Sequence, residues 1–312
     1  MLNAISILFP KNFITMLKKI LPLAILVLFA SCHNKTSVNA ENITPTNDTI
    51  PFSMVDSVPE GVNVVLCEEY NRIFVNAVIH NDTVPLLLDC GFPYSLFDRD
   101  FFSEIGQSYS TIRIDKDGDE KISTNLTVLL GKTPISIDTC YSRIEYTCKS
   151  YCRGILGMEF FDHHIIEIDF KNKRLIVYSE LPDKISKYKR LDLFRVPEDE
   201  KYGLLPRVNF DGFITRDGAT VSASLLVDLG APYTGWYKPF RMNITTDSTK
   251  QNYNSDAYDL LRRVGQLNDY AIPVTEMHMP KVDGNLGVDY FSEHNVIFDY
   301  PHNKIYLQPN DK

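Results

Sequence analysis

The residues best suited to chemistry occur twice in one arrangement. Pro85-Leu86-Leu87-Leu88-Asp89-Cys90-Gly91-Phe92-Pro93-Tyr94-Ser95 has a second version in Leu225-Leu226-Val227-Asp228-Leu229-Gly230-Ala231-Pro232-Tyr233-Thr234. Both read apolar-apolar-Asp-x-Gly-x-Pro-Tyr-Ser/Thr. A carboxylate is a natural general acid or base. A single one behind an apolar run is most often a solvated strand end. Two in the same loop context point instead to a working pair, Asp89 and Asp228. Cys90 could be a nucleophile, but no histidine stands where it would activate a thiol, so an inert buried thiol is expected. No metal and no cofactor are expected. Cys148 and Cys152 are loosely spaced, no His pair lies at a zinc-binding interval, and the adjacent His163 and His164 point different ways.

The elements that must deliver these residues also repeat. In the first half, strands are expected at Val62 to Leu66, Arg72 to Ile79 and Val84 to Leu88, the last ending at Asp89. A short helix lies within Phe97 to Ile105. A hairpin runs from Thr111 to Leu130 with its turn at Asp117-Gly118, and Ile135 to Thr139 is a further strand. Gly154-Ile155-Leu156-Gly157 follows, then helical spacing over Met158 to His163 and two strands, Ile165 to Phe170 and Arg174 to Tyr178. In the second half, Leu204 to Ile214 and Ala219 to Val227 deliver Asp228, and a polar stretch, Asn243 to Asp256, stands where the first half has its hairpin. Gly284-Asn285-Leu286-Gly287 matches the first glycine motif, Tyr290 and Phe291 match Phe160 and Phe161, and His294 matches His164. The interval from Gly157 to Asp169 equals that from Gly287 to Asp299. Two long copies imply two similar lobes, not a solenoid. Asp169 and Asp299 read as turn formers, His164 and His294 as capping or packing groups, and Trp236 as core or cleft wall.

The chain has 312 residues and a formal net charge of −8. Its N-terminal 31 residues carry Lys11, Lys18 and Lys19 and no acid, so removing them leaves the remainder more acidic. That argues against nucleic acid as a partner. Lys18-Lys19, the apolar run Ile20 to Ala30, and Ser31-Cys32 have the layout of a secretory signal, with Met16 as a possible start. The run is too short to span a membrane comfortably. Its ending resembles a bacterial lipobox, which makes Cys32 a lipidation site and the cell envelope the expected location. The expected organisation is a signal over 1–31, a flexible tether over 32–60, lobes at 61–180 and 201–312, and a connection at 181–200. After Cys32 an odd number of cysteines remains, so at least one is unpaired in the monomer that is expected. Cys67, Cys140, Cys148 and Cys152 allow three full pairings, which stay open.

Apolar-apolar-Asp-x-Gly followed by Gly-x-Leu-Gly, twice over, resembles the pepsin and retropepsin superfamily of aspartic peptidases across residues 60–310. The stretch Gly157-Met158-Glu159-Phe160-Phe161 and the later Ile168-Asp169-Phe170-Lys171-Asn172-Lys173-Arg174-Leu175 are most like bacterial retropepsin-like proteins. The resemblance implies an all-β fold with a few short helices, built as two retropepsin-like β-barrel lobes in a pepsin-like bilobal arrangement. It implies that Asp89 and Asp228 meet between the lobes, share a proton and activate a water. Gly91 and Gly230 would give the loops room, and Ser95 and Thr234 would hydrogen-bond within them. The family has Thr or Ser directly after each Asp, bonded across the interface. Cys90 and Leu229 stand there, so that bonding is expected to be absent or rebuilt, and Phe92 is expected to crowd the site. Tyr109 to Ser123 is either the hairpin that covers the cleft or an ordinary surface hairpin. The implied activity is metal-free hydrolysis of peptide or protein substrates. The alternative is an inactive relative that binds peptides or a partner protein in the same cleft.

Overall fold

The computed structural model describes residues 47–55, 70–114, 118, 120–143, 152–197, 204–215, 217–237 and 282–310. They belong to one compact unit spanning Pro45–Lys312. The class is all-β with a few short helices, as expected. The first half contains β1 (Asp48–Ser53), β2 (Phe74–Ile79), β3 (Asp82–Leu88), β4 (Leu96–Asp98), α1 (Arg99–Glu104), β5 (Ser110–Ile114), β6 (Glu120–Leu130), β7 (Thr133–Arg143), β8 (Gly154–Leu156), α2 (Met158–Asp162), β9 (Ile165–Asp169) and β10 (Arg174–Tyr178). The second contains β11 (Lys189–Asp192), β12 (Phe194–Pro197), β13 (Leu204–Ile214), β14 (Thr220–Val227), β15 (Gly235–Trp236), β16 (Gly284–Leu286), α3 (Val288–Phe291), β17 (His294–Asp299) and β18 (Lys304–Pro309).

Binary patterning explains the barrel of the first half. In β6, Ile122, Thr124, Leu126, Val128 and Leu130 are buried while the residues between them are exposed, the period of a half-buried strand. The strands run β2-β3-β8-β4-β7-β6, and Val78 of β2 pairs with Leu129 of β6, which closes the ring. Among the described residues the second half forms a five-stranded sheet, β12-β13-β14-β16-β15.

The halves share a second layer of order β11-β18-β17-β9-β10-β1. Its centre is the antiparallel pair β9 and β17, in which Ile166 faces Phe298 and Glu167 faces Ile297. All five residues of β9 are buried because both sheet faces are covered. Ile166 and Ile168 join the main core, whereas Ile165 packs with Tyr178, Ile297 and Tyr188 on the other side. The buried Glu167 on that second face is satisfied by the Tyr178 hydroxyl and by Lys184 Nζ at 2.7 Å.

Three sequence expectations change. Asp48–Ser53 fell within the expected tether but is strand β1: Ile50 and Phe52 are buried, and the segment pairs with both β10 and β2. The connection at 181–200 carries structure too, since β11 extends the shared layer beside β18 and β12 pairs with β13. Cys140 is a free buried thiol, which removes every full pairing of the four cysteines considered. The signal, Cys32, Cys67, Cys148, the strand at Val62 to Leu66 and the stretch Asn243 to Asp256 lie outside the described residues. Among the described residues no helix is long and apolar enough to cross a membrane.

Candidate active site

Each candidate aspartate is placed by one strand pair in one register. In the first half β3 runs parallel to β8, matching Leu86, Leu87 and Leu88 to Gly154, Ile155 and Leu156. In the second half β14 runs parallel to β16, matching Leu225, Leu226 and Val227 to Gly284, Asn285 and Leu286. The next backbone N–H on each strand continues the ladder, Asp89 to the Leu156 carbonyl and Asp228 to the Leu286 carbonyl, both at 3.0 Å. The chain then turns, and each carboxylate folds back over its own loop. Asp89 Oδ1 accepts from the N–H groups of Gly91 at 2.8 Å and Phe92 at 3.1 Å, and Asp228 Oδ1 accepts from Ala231 at 3.0 Å.

These loops bring the two carboxyl groups into a hydrogen bond with each other. Each also lies against the opposite glycine. A Cβ on Gly91 would stand 2.6 Å from Asp228 Oδ1, and one on Gly230 would overlap the Asp89 carboxyl group. Burial raises the pKa of both aspartates, since it penalises the charged form. Asp228 is pushed up much further because the negative charge of Asp89 is beside it. Asp89 is held down by its two N–H donors, by the hydrogen bond from Asp228 and by the Arg72 guanidinium. The two carboxyl groups therefore titrate as one coupled pair that resists double ionisation.

Ser95 and Thr234 fix the far ends of the loops. Their hydroxyls accept from the backbone N–H of Gly157 and Gly287 respectively, each at 3.0 Å. Glu159 Oε1 accepts from the Ser95 N–H at 2.6 Å, and Asp289 Oδ1 accepts from the Thr234 N–H and hydroxyl at 2.7 Å. Burial pushes the Glu159 carboxyl upward. The equivalence extends to His164 and His294, whose Nδ1 atoms bond the carbonyls of Phe160 at 2.8 Å and Tyr290 at 3.0 Å. Both imidazoles belong to the scaffold, not to the aspartate pair. Asp169 and Asp299 are turn residues; Asp169 receives bonds from Asn172 and Arg174.

The bonding between halves is rebuilt at Cys90 and absent at Leu229. The Cys90 thiol donates to the Val227 carbonyl at 3.5 Å, reaching the residue that precedes Asp228. Leu229 is fully buried in the core and has nothing to donate. Asn71 adds a second crossing, with Nδ2 donating to the Pro232 carbonyl at 2.6 Å, and the Tyr70 ring packs on Tyr233 at 5.9 Å. Phe92 packs against the cluster of Phe74, Leu87, Leu96 and Tyr141, so its ring is partly absorbed by the first half. Trp236 is buried and meets Phe213 edge-on at 5.0 Å. β5 and β6 form the expected hairpin, with every residue of β5 exposed; the residues at its turn lie mostly outside the described set.

Asn71, Arg72, Tyr70, Glu159 and Asp289 were not singled out from sequence. For Glu159 and Asp289 a signal existed, an acid two positions after the second glycine of each Gly-x-Leu-Gly. Among the described residues no group of three or more His, Cys, Asp or Glu side chains is arranged to hold a metal ion.

Burial pushes the Cys90 thiol far up, with the neighbouring aspartates adding to the shift, so thiolate is scarce at any ordinary pH. The native chain should therefore leave Cys90 unmodified by iodoacetamide, and denaturant should expose it, as peptide mapping would show. Labelling of native Cys90 at the rate of a free thiol would contradict this packing. Cys90→Ala should cost about 1 kcal/mol in denaturant melts, the usual worth of one modest hydrogen bond plus a small void.

Comparison with protein-family models gives no match, and comparison with curated protein sequences gives none either. Solved structures do match. An aspartic proteinase from Irpex lacteus aligns at 11% identity and TM-score 0.48, covering 85% of this chain and 98% of its own. Basic 7S globulin from soybean aligns at 9% identity and TM-score 0.47, covering 86% of this chain and 96% of its own. A retropepsin-like aspartic protease from Rickettsia conorii aligns at 14% identity and TM-score 0.31, covering 43% of this chain and 93% of its own. The closed barrel, the shared layer and the two aspartate loops in matching register together make up this all-β fold.

Proposed function

We propose that the protein is an aspartic-type peptidase that hydrolyses peptide bonds with one water held by Asp89 and Asp228. The observation that carries this reading is the pair itself: two buried carboxyl groups from matched loops, each against the opposite loop's glycine. Asp89, ionised, takes the proton of the attacking water. Asp228, protonated, donates to the carbonyl oxygen as the tetrahedral intermediate forms. Collapse returns a proton to the leaving amine, and the pair regains its single proton. The chemistry requires no metal. The two halves are best understood as an internal duplication, each contributing one aspartate. The N-terminal signal and Cys32 fit a lipid-anchored, monomeric protein of a bacterial cell envelope acting on peptides or proteins.

Leu229 favours a second reading, a cleft that binds peptides or a partner protein without turnover, because one of the two post-aspartate residues cannot bond across the halves. Incubating the purified chain lacking residues 1–31 with a mixed peptide library from acid to neutral pH separates the two. Cleavage that disappears in Asp89→Asn supports the peptidase. Absence of cleavage at every pH, or equal cleavage by the variant, leaves the binding reading.

A further inference from the structure

We propose that the surface of the first half beside Asp89 is a side-chain subsite selecting an acidic residue of the bound peptide, with Lys121 as the specificity-determining cation. This rests on the reading of the cleft as a peptide site. The subsite follows from strand register. Arg113 faces Lys121, Lys121 faces Tyr141, Tyr141 faces Leu96, Leu96 faces Ile155, and Ile155 faces Leu87. Side chains directly opposite one another project from the same side of a sheet, so this row shares one face. It is the face away from the main core, because Leu87, Leu96 and Tyr141 form a separate cluster.

The active-site loop supplies the rest of that surface. Phe92 and Tyr94 are both partly exposed and packed against the cluster. Phe92 is tied to the aspartate pair, since its N–H donates to Asp89 Oδ1 at 3.1 Å. Tyr94 lies 5.6 Å from the Tyr141 ring, and Lys121 Nζ sits 4.4 Å above the Tyr94 ring. Arg113 Nη2 bonds the Tyr141 hydroxyl at 3.3 Å and brings a second positive charge to the same edge. The surface thus has an aromatic floor continuous with the Asp89 loop and a cationic rim.

Among the described residues, three nearby acids are engaged elsewhere. Glu120 pairs with Arg99, Glu104 with Arg153, and Glu159 holds Ser95. Among the described residues no carboxylate is bonded to Lys121. A cation held over an aromatic face on a partly exposed residue remains available to an incoming carboxylate. In the second half Asn285 replaces Ile155 and donates to the Tyr233 carbonyl at 2.8 Å, while Tyr233 packs against Tyr70. The acidic preference should therefore act on one side of the scissile bond only.

The test uses fluorescein-labelled hexapeptides that differ only in having Glu, Gln or Lys at one position, scanned through all six. Fluorescence polarisation reads their affinity for Asp228→Asn and for Asp228→Asn combined with Lys121→Met or Lys121→Glu. At one position Glu should bind roughly 5- to 10-fold tighter than Gln, shrinking as salt is raised. Lys121→Met, which keeps the packing on Tyr94, should erase that preference, and Lys121→Glu should reverse it toward Lys. Equal binding of Glu and Gln peptides throughout, no binding of any peptide, or a preference that survives Lys121→Met would overturn the subsite. Cleavage of the same peptides by the chain with both aspartates intact is scored separately. Acid-selective binding without cleavage refutes the peptidase and keeps the subsite, whereas cleavage without acidic preference does the reverse.

Discussion

Asp228→Asn should yield a chain that no longer turns over yet is more stable than the parent at neutral pH. Turnover should fall roughly a thousandfold or more, within the range general acid–base groups supply, because Asn cannot lend and recover a proton. The stability gain follows from the raised pKa of Asp228, caused by burial and the charge of Asp89. In the unfolded chain that carboxyl ionises in the ordinary range. Between the unfolded pKa and the higher folded one, the native state binds more protons than the unfolded state. Stability therefore falls as pH rises through that window, and Asp228 is a liability above it. Asn cannot ionise, and its amide can still donate to Asp89, whose Oδ1 keeps the Gly91 and Phe92 N–H groups. The expected gain at pH 7 is on the order of 1–2 kcal/mol, the size of ordinary stabilising substitutions. It should vanish below the unfolded carboxylate range, where Asp228 of the parent is protonated in both the folded and the unfolded state. Denaturant melts of parent and variant at several pH values measure it; curves separated equally at acid and neutral pH would contradict the assignment of the proton to Asp228.

The sequence made the aspartate pair legible because local rules dictate it. A strand, an Asp, a glycine two places on, and a second glycine motif to run beside the strand are all short-range requirements, and both copies meet them in the same register. Cys90 and Leu229 could be recognised as the places where cross-half bonding must change, but not how. That the thiol would reach the Val227 carbonyl depends on how residues far apart in the chain are brought together. Asn71 was illegible for the same reason: it adopts a left-handed backbone with φ 54° and bonds Pro232 in the other half. β1 was missed because Ile50 and Phe52 give too short an alternation to stand out. Its order comes from the edges of β10 and β2, which lie distant in sequence. Glu159 and Asp289 were readable as acids in matching places, but their role as clamps on Ser95 and Thr234 appears only once the loops pack against α2 and α3.

Gly230→Ala tests whether the close approach of the loops is what makes the pair work. A Cβ at that position would lie 2.7 Å from Asp89 Oδ1 and would overlap Oδ2 and Cγ more severely. The Asp89 carboxyl cannot simply swing aside, because two backbone N–H groups hold Oδ1 and the strand ladder holds its backbone. The added methyl must therefore separate the carboxyl groups. A displacement of about 1 Å at reacting groups can cost about 100-fold in rate, so turnover should drop by at least that factor. Overpacking should cost about 1–3 kcal/mol of stability. Separation also removes the charge of Asp89 from beside Asp228, so the titration of Asp228 should move back toward that of an ordinary carboxylate. The acid-to-neutral profile of any residual activity should shift in the same direction. Gly235→Ala is the control, since its added Cβ would meet only Asn285 Oδ1, at 3.5 Å. That variant should keep turnover and stability close to the parent. If Gly230→Ala hydrolyses peptides as fast as Gly235→Ala, the contact between Asp89 and Gly230 has no part in catalysis.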